Sequence, residues 1–108
     1  MREELVLKHA VGGRTFIQTG KKPLDYTITQ EGSNWKISVH LTPEIDIQEI
    51  LKWKQELNLF LFQEFEDQPT NKIWFYIKNG PVLYNEQIQL LTIVAESKIE
   101  YIPSNYSV

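Results

Sequence analysis

Two histidines, fourteen carboxylates, three tryptophans, five tyrosines and five phenylalanines are what this chain offers to chemistry, and it has no cysteine. The missing cysteines remove thiolate nucleophiles, disulfides, zinc thiolate sites and iron–sulfur clusters together. His9 and His40 fall on separate strand-like segments with no His-x-His or His-x-x-x-His spacing, so no metal site is expected. Glu64, Glu66 and Asp67 form the tightest acid cluster. Acid–base catalysis needs two carboxylates held apart in a cleft with split pKa values, whereas these three end a segment and precede a loop. No serine sits in a Gly-x-Ser-x-Gly elbow. Gly12-Gly13-Arg14-Thr15 lacks the Gly-Lys-Ser/Thr ending and the following helix of a phosphate loop, and reads as a turn. No catalytic, cofactor-binding or metal-ligating residue is therefore expected.

Binding is the chemistry that remains, and charge points to where. Between Thr42 and Asp67, seven acids (Glu44, Asp46, Glu49, Glu56, Glu64, Glu66, Asp67) face only Lys52 and Lys54. The first 43 residues are mildly basic, and the stretch after Asp67 balances. Trp53 lies between Glu49 and Glu56, and an aromatic flanked by acids has the composition of a hot spot against a basic partner. The expected partner-binding residues are Glu49, Trp53, Glu56, Glu64, Glu66 and Asp67. The partner would be another protein with a basic surface, or a second copy in a homo-oligomer. Tyr26, Tyr76, Tyr84 and Tyr101 are further interface candidates at the rim of the strands.

Other partner classes are disfavoured. The net charge is −3, and the only adjacent basic pair is Lys21-Lys22, so clustered phosphate contacts are lacking. The longest apolar-rich uncharged runs, such as Gln87 to Ala95, are far too short to span a bilayer. The charged start Met1-Arg2-Glu3-Glu4 is not a secretory signal, so a soluble cytoplasmic protein is expected.

The positioning elements follow from periodicity. At 108 residues, with 42% hydrophobic and 23% charged residues, the chain reads as one folded domain over 1–108, with 103–108 a flexible tail. Leu5, Leu7, His9 and Val11 alternate with Val6, Lys8 and Ala10, and Gly12-Gly13 turns them into Arg14 to Thr19, a first hairpin with a type I′ turn. Tyr26 to Gln30 and Trp35 to Leu41 form a second hairpin across Glu31-Gly32-Ser33-Asn34. Thr42-Pro43 reads as a helix start, with Asp46 and Glu49 a second capping box. Ile47, Ile50, Leu51, Trp53, Leu57, Phe60, Leu61, Phe62 and Phe65 share one arc at helical spacing. The spacing predicts a helix from about Pro43 to Glu66. Leu59 on its polar side leaves open an end near Asn58, followed by a strand over Leu59 to Phe65. Lys72 to Lys78 is β-branched and aromatic throughout, as for a central strand covered on both faces. Gln87 to Glu96 is another strand, followed either by a tight turn at Ser97-Lys98 into Ile99, Tyr101 and Ile102 or by the same strand running on with a bulge.

The expectation is an α+β fold: an antiparallel sheet of about six or seven strands with one long acidic helix packed across it. Trp35, Ile37, Val39, Ile50, Leu57, Leu61, Trp74, Phe75 and Ile93 are its expected core. In size and order of elements the chain resembles small α+β immunity proteins, antitoxins and phage-encoded inhibitors, and also phage tail and connector subunits. The first resemblance implies a non-enzymatic protein-binding module acting by steric occlusion or assembly, and the second a self-assembling structural subunit. A small ligand-binding domain or enzyme, with a pocket between helix and sheet, is the third possibility.

Overall fold

Turn chemistry sets the frame of two stacked antiparallel sheets. In a computed structural model describing residues 2–77 and 81–102, β1 (Arg2–His9) and β2 (Thr15–Gln18) form the first hairpin. Its loop is longer than a two-residue turn: the His9 N–H donates to the Arg14 carbonyl at 2.7 Å. Gly12 (φ 85°) and Gly13 (φ 74°) take the positive angles inside it. β3 (Tyr26–Glu31) and β4 (Asn34–His40) pair with Glu31 opposite Asn34. Positive φ at Gly32 alone of the two central residues is the sign pattern of a type II′ turn.

The long helix is not formed. Helix α1 spans only Ile47–Lys52, capped by the Asp46 carboxylate, which accepts from the Glu49 N–H at 3.2 Å. The second capping box is the one used. After the turn Trp53-Lys54-Gln55, β5 (Leu57–Glu64) takes over. Leu57, Leu59 and Leu61 are buried while Asn58, Phe60 and Phe62 are half-buried, which is a strand period of two. The helical arc arose because β5 is apolar on both sides, and such a run satisfies period 3.6 by density alone. The alternative that ended the helix near Asn58 was nearer, with the strand starting two residues earlier, at Leu57. With the helix gone, the resemblance to α+β inhibitors loses its basis.

β5 pairs with β1 from Arg2 opposite Glu64 to His9 opposite Leu57, and on its other side with β6 (Asn71–Tyr76). β7 (Val82–Asn85) and β8 (Leu90–Ala95) form a further hairpin, with Gln89 at φ 53°. β7 was not expected, and Gln87 and Ile88 lie in its turn rather than in a strand. At Glu96 the chain bends from one sheet into the other, its N–H donating to the Tyr76 carbonyl at 2.9 Å, and β9 (Ser97–Tyr101) follows. The sheet orders are β2-β1-β5-β6-β9 and β3-β4-β8-β7.

One core joins both sheets, with Leu5, Leu7, Leu59, Ile73 and Phe75 from the first meeting Ile37, Val39, Leu91 and Ile93 from the second. Ile50 of α1 is fully buried in the same core. Of the expected core, Trp35 is only half-buried and Trp74 lies outside it. The expected tail, 103–108, and the Asn79-Gly80 part of a turn fall outside the described residues. No described helix is long and apolar enough to cross a membrane.

The strand assignment of β5 is testable at Leu59, which a helix would place on its polar side. Leu59→Ala should cost about 2–5 kcal/mol in denaturant unfolding, as should Leu61→Ala. A loss below about 1 kcal/mol at Leu59 alone would contradict the strand.

Candidate interaction surface

The acids expected to form one strip are scattered. Glu49 lies on α1, Glu56 precedes β5, Glu64 ends it, and Glu66 and Asp67 sit exposed in the loop beyond. Eight extended residues separate Glu56 from Glu64 by about 26 Å. Each end has its own partners. Glu64 pairs with Arg2 at 3.2 Å, both largely solvated, which contributes little.

Glu49, Trp53 and Glu56 do come together, but around His9 rather than outward. The indole Nε1 of Trp53 donates to Glu49 Oε2 at 2.9 Å, and its ring stacks on His9 with centroids 4.7 Å apart. His9 Nε2 lies 3.3 Å from Glu56 Oε1, and Arg14 Nη1 lies 3.9 Å from Glu49 Oε2. The cluster ties the first hairpin to α1 and to the start of β5. His40 lies in the other sheet from His9, and the described residues contain no group of three or more potential metal ligands.

A second polar cluster closes the opposite end of β1 and β5. The Tyr26 hydroxyl donates to Glu3 Oε1 at 2.5 Å, and Gln63 Nε2 donates to Glu3 Oε2 at 3.2 Å. Asn71 then donates to Gln63 Oε1 at 3.1 Å, so the chain runs from β3 through β1 and β5 to β6. It borders a cleft of about 340 Å³ between the sheets, where Lys98 Nζ sits 4.0 Å from the Trp35 ring centre. Both Glu3 oxygens already accept bonds from the protein itself. This is an inter-sheet clasp more than a vacant receptor. Burial, followed by the hydrogen bond to Glu3 and its charge, pushes the Tyr26 hydroxyl well above the usual tyrosine range.

What sequence reasoning missed is the outside of the five-stranded sheet. Cross-strand register puts Gln18, Val6, Phe60, Trp74 and Ile99 in one row across all five strands. The next row runs Glu4, Phe62, Lys72 and Tyr101. None of these side chains belongs to the cluster between the sheets, although Val6 is itself buried. Ile99 is 50% and Tyr76 37% exposed, while Phe60, Phe62, Trp74 and Tyr101 are half-buried against one another. The Lys72 ammonium lies 4.2 Å from the Phe60 ring centre and 5.2 Å from that of Phe62. The signal was available: Lys72 to Tyr76 and Leu57 to Phe62 are apolar or aromatic at both parities. Such a run reads as cover on both faces, but only the Ile73 and Phe75 side of β6 meets the second sheet. Of the tyrosines, Tyr76 and Tyr101 lie on this outer face, Tyr26 in the clasp, and Tyr84 packs against the core.

No protein-family model matches the chain, nor does any curated protein or solved structure, so the reading of function rests on this geometry.

The clasp gives a pH dependence with a definite sign. The unfolded chain releases the Tyr26 proton near the ordinary value of about 10, while the folded chain holds it. Stability is therefore complete below that value and is lost as pH rises above it. Melting temperatures between about pH 8 and pH 11 should fall more steeply for the wild type than for Tyr26→Phe. Equal slopes would show that Tyr26 ionises alike in both states.

Proposed function

We propose that this chain is a small non-enzymatic protein-binding module, acting by occlusion or assembly, whose binding surface is the outer face of the five-stranded sheet. The observation that carries the reading is the row Phe60, Trp74 and Ile99, apolar across three adjacent strands on the side away from the core, with Val6 beside them buried beneath its neighbours. An antiparallel sheet with one face on the core ordinarily turns polar residues to water on the other. Each square ångström of apolar surface left wet forgoes roughly 25 cal/mol, and contiguous patches of this kind mark interaction sites. Trp and Tyr also lead the residues that carry binding energy at interfaces.

The chemistry of the face argues for protein rather than nucleic acid. Its one central cation, Lys72, lies over phenylalanine rings, and the chain as a whole is acidic. The acids near α1 are engaged with Trp53, His9 and Arg14, so they serve the fold rather than the encounter. The lack of cysteine suits a reducing compartment such as the cytoplasm.

The test is capture from host lysate with immobilised protein. Phe60→Glu and Trp74→Lys should each reduce the captured partner about tenfold or more, as loss of an aromatic anchor does. Leu83→Glu, at a 61% exposed position on the other sheet, should leave capture unchanged. If both face variants bind as the wild type does, or if only Leu83→Glu abolishes capture, the surface lies elsewhere.

A further inference from the structure

The outer face has a symmetry that names its partner. β5 is the middle strand of the five, with β1 and β6 on either side and β2 and β9 beyond them. A two-fold axis running along β5, between two copies stacked face to face, leaves each cross-strand row facing itself. It exchanges β1 with β6 and β2 with β9.

Two rows suit that exchange, while at the end of the face the same axis brings Glu64 toward Glu64, each already paired with its own Arg2. Glu4 and Lys72 flank Phe62 in one row, one strand to either side. The axis therefore lays Glu4 of one protomer over Lys72 of the other, twice, while the two Phe62 rings meet at the centre. In the next row Val6 and Trp74 flank Phe60, so the Trp74 of each copy stands over the position of its partner's Val6, whose side chain is itself only 6% exposed. Large against small is how facing layers interdigitate without voids. Gln18 stands over Ile99 at the margins. A two-fold running across the strands and centred on either row would instead bring Lys72 onto Lys72 or Trp74 onto Trp74. Glu4 and Lys72 are each engaged within their own copy, Glu4 with the Gln18 amide at 3.0 Å and Lys72 over the Phe60 ring at 4.2 Å, so both side chains turn toward the axis to pair across it.

We infer that the partner of this face is a second copy of the chain, in an isologous dimer with its two-fold along β5 and reciprocal Glu4–Lys72 pairs. This rests on the reading of the outer face as the binding surface. Five strands span about 19 Å and the six residues of β6 about 20 Å, so each footprint is roughly 400 Å² before side-chain relief. Over both copies that is about 800 Å², below the usual range of specific interfaces, so the dimer is a weak and transient one that forms only toward the upper end of micromolar concentrations.

Sedimentation velocity from about 5 to 500 µM reads the outcome across that range. The wild type should move from 12.7 kDa toward twice that mass as concentration rises. Glu4→Lys and Lys72→Glu should each weaken association at least tenfold, because like charges then face each other across the axis. The double variant Glu4→Lys with Lys72→Glu should dimerise again, a rescue that a merely misfolded single variant would not give. A wild type that stays monomeric throughout overturns the dimer. So does a dimer indifferent to both single substitutions, which would use another surface. The two readings fail separately: a monomeric wild type whose lysate capture still depends on Phe60 and Trp74 overturns the dimer alone. Capture and dimerisation that both ignore Phe60 and Trp74 overturn the face itself.

Discussion

The backbone of β5 must be hydrogen-bonded on both sides, and everything else in the molecule is arranged around that requirement. Its eight residues lie in the middle of a five-stranded sheet, with β1 pairing along its whole length and β6 along five residues. A strand in that place has no backbone edge in water, and its side chains alternate strictly between two faces. Leu57, Leu59 and Leu61 go to the core, and Asn58, Phe60 and Phe62 go outside. Shifting β5 by one residue would exchange the two sets, so register and burial fix one another.

The polar groups divide along the same strand. At its start, Glu56 and Glu49 hold His9, Trp53 and Arg14 together. Near its end, Gln63 joins Glu3, Tyr26 and Asn71 across the sheets. Among the described residues no buried side-chain polar atom lacks a partner. Most of the charge that made residues 42–67 conspicuous thus closes or flanks the two ends of the sandwich. The outer aromatic face is one surface whose apolar content the fold leaves partly uncovered, while Leu83 and Ile88 are exposed on the hairpin of the other sheet.

The first two hairpins were legible in the sequence because turn residues separate paired β-prone runs, and β4 alternates cleanly. Trp35, Ile37, Val39 and Leu41 do share the inward side of β4 and its extension. What misled was β5. Residues 57–62 read Leu-Asn-Leu-Phe-Leu-Phe, and a run apolar at nearly every position carries no period of its own. With a capped helical turn just before it, the helix pattern simply ran on. The same ambiguity hid the outer aromatic face, since the sequence places Trp74 in the core and Phe60 on the apolar arc of a helix, whereas both lie on the other side of their strands. β7 was missed for a different reason: four residues leave too little alternation to recognise.

The central claim is that the outer side of β5 and β6 meets a second copy in two-fold register. Isotope-filtered nuclear Overhauser spectroscopy, on a mixture of labelled and unlabelled protein above the dissociation constant, tests it most directly. The account predicts intermolecular contacts from the Trp74 indole to the Val6 methyls and between the Phe62 rings, with none from the Leu83 side chain. Intermolecular contacts confined to the four-stranded sheet, or none at all from Phe60, Phe62 and Trp74, would contradict it.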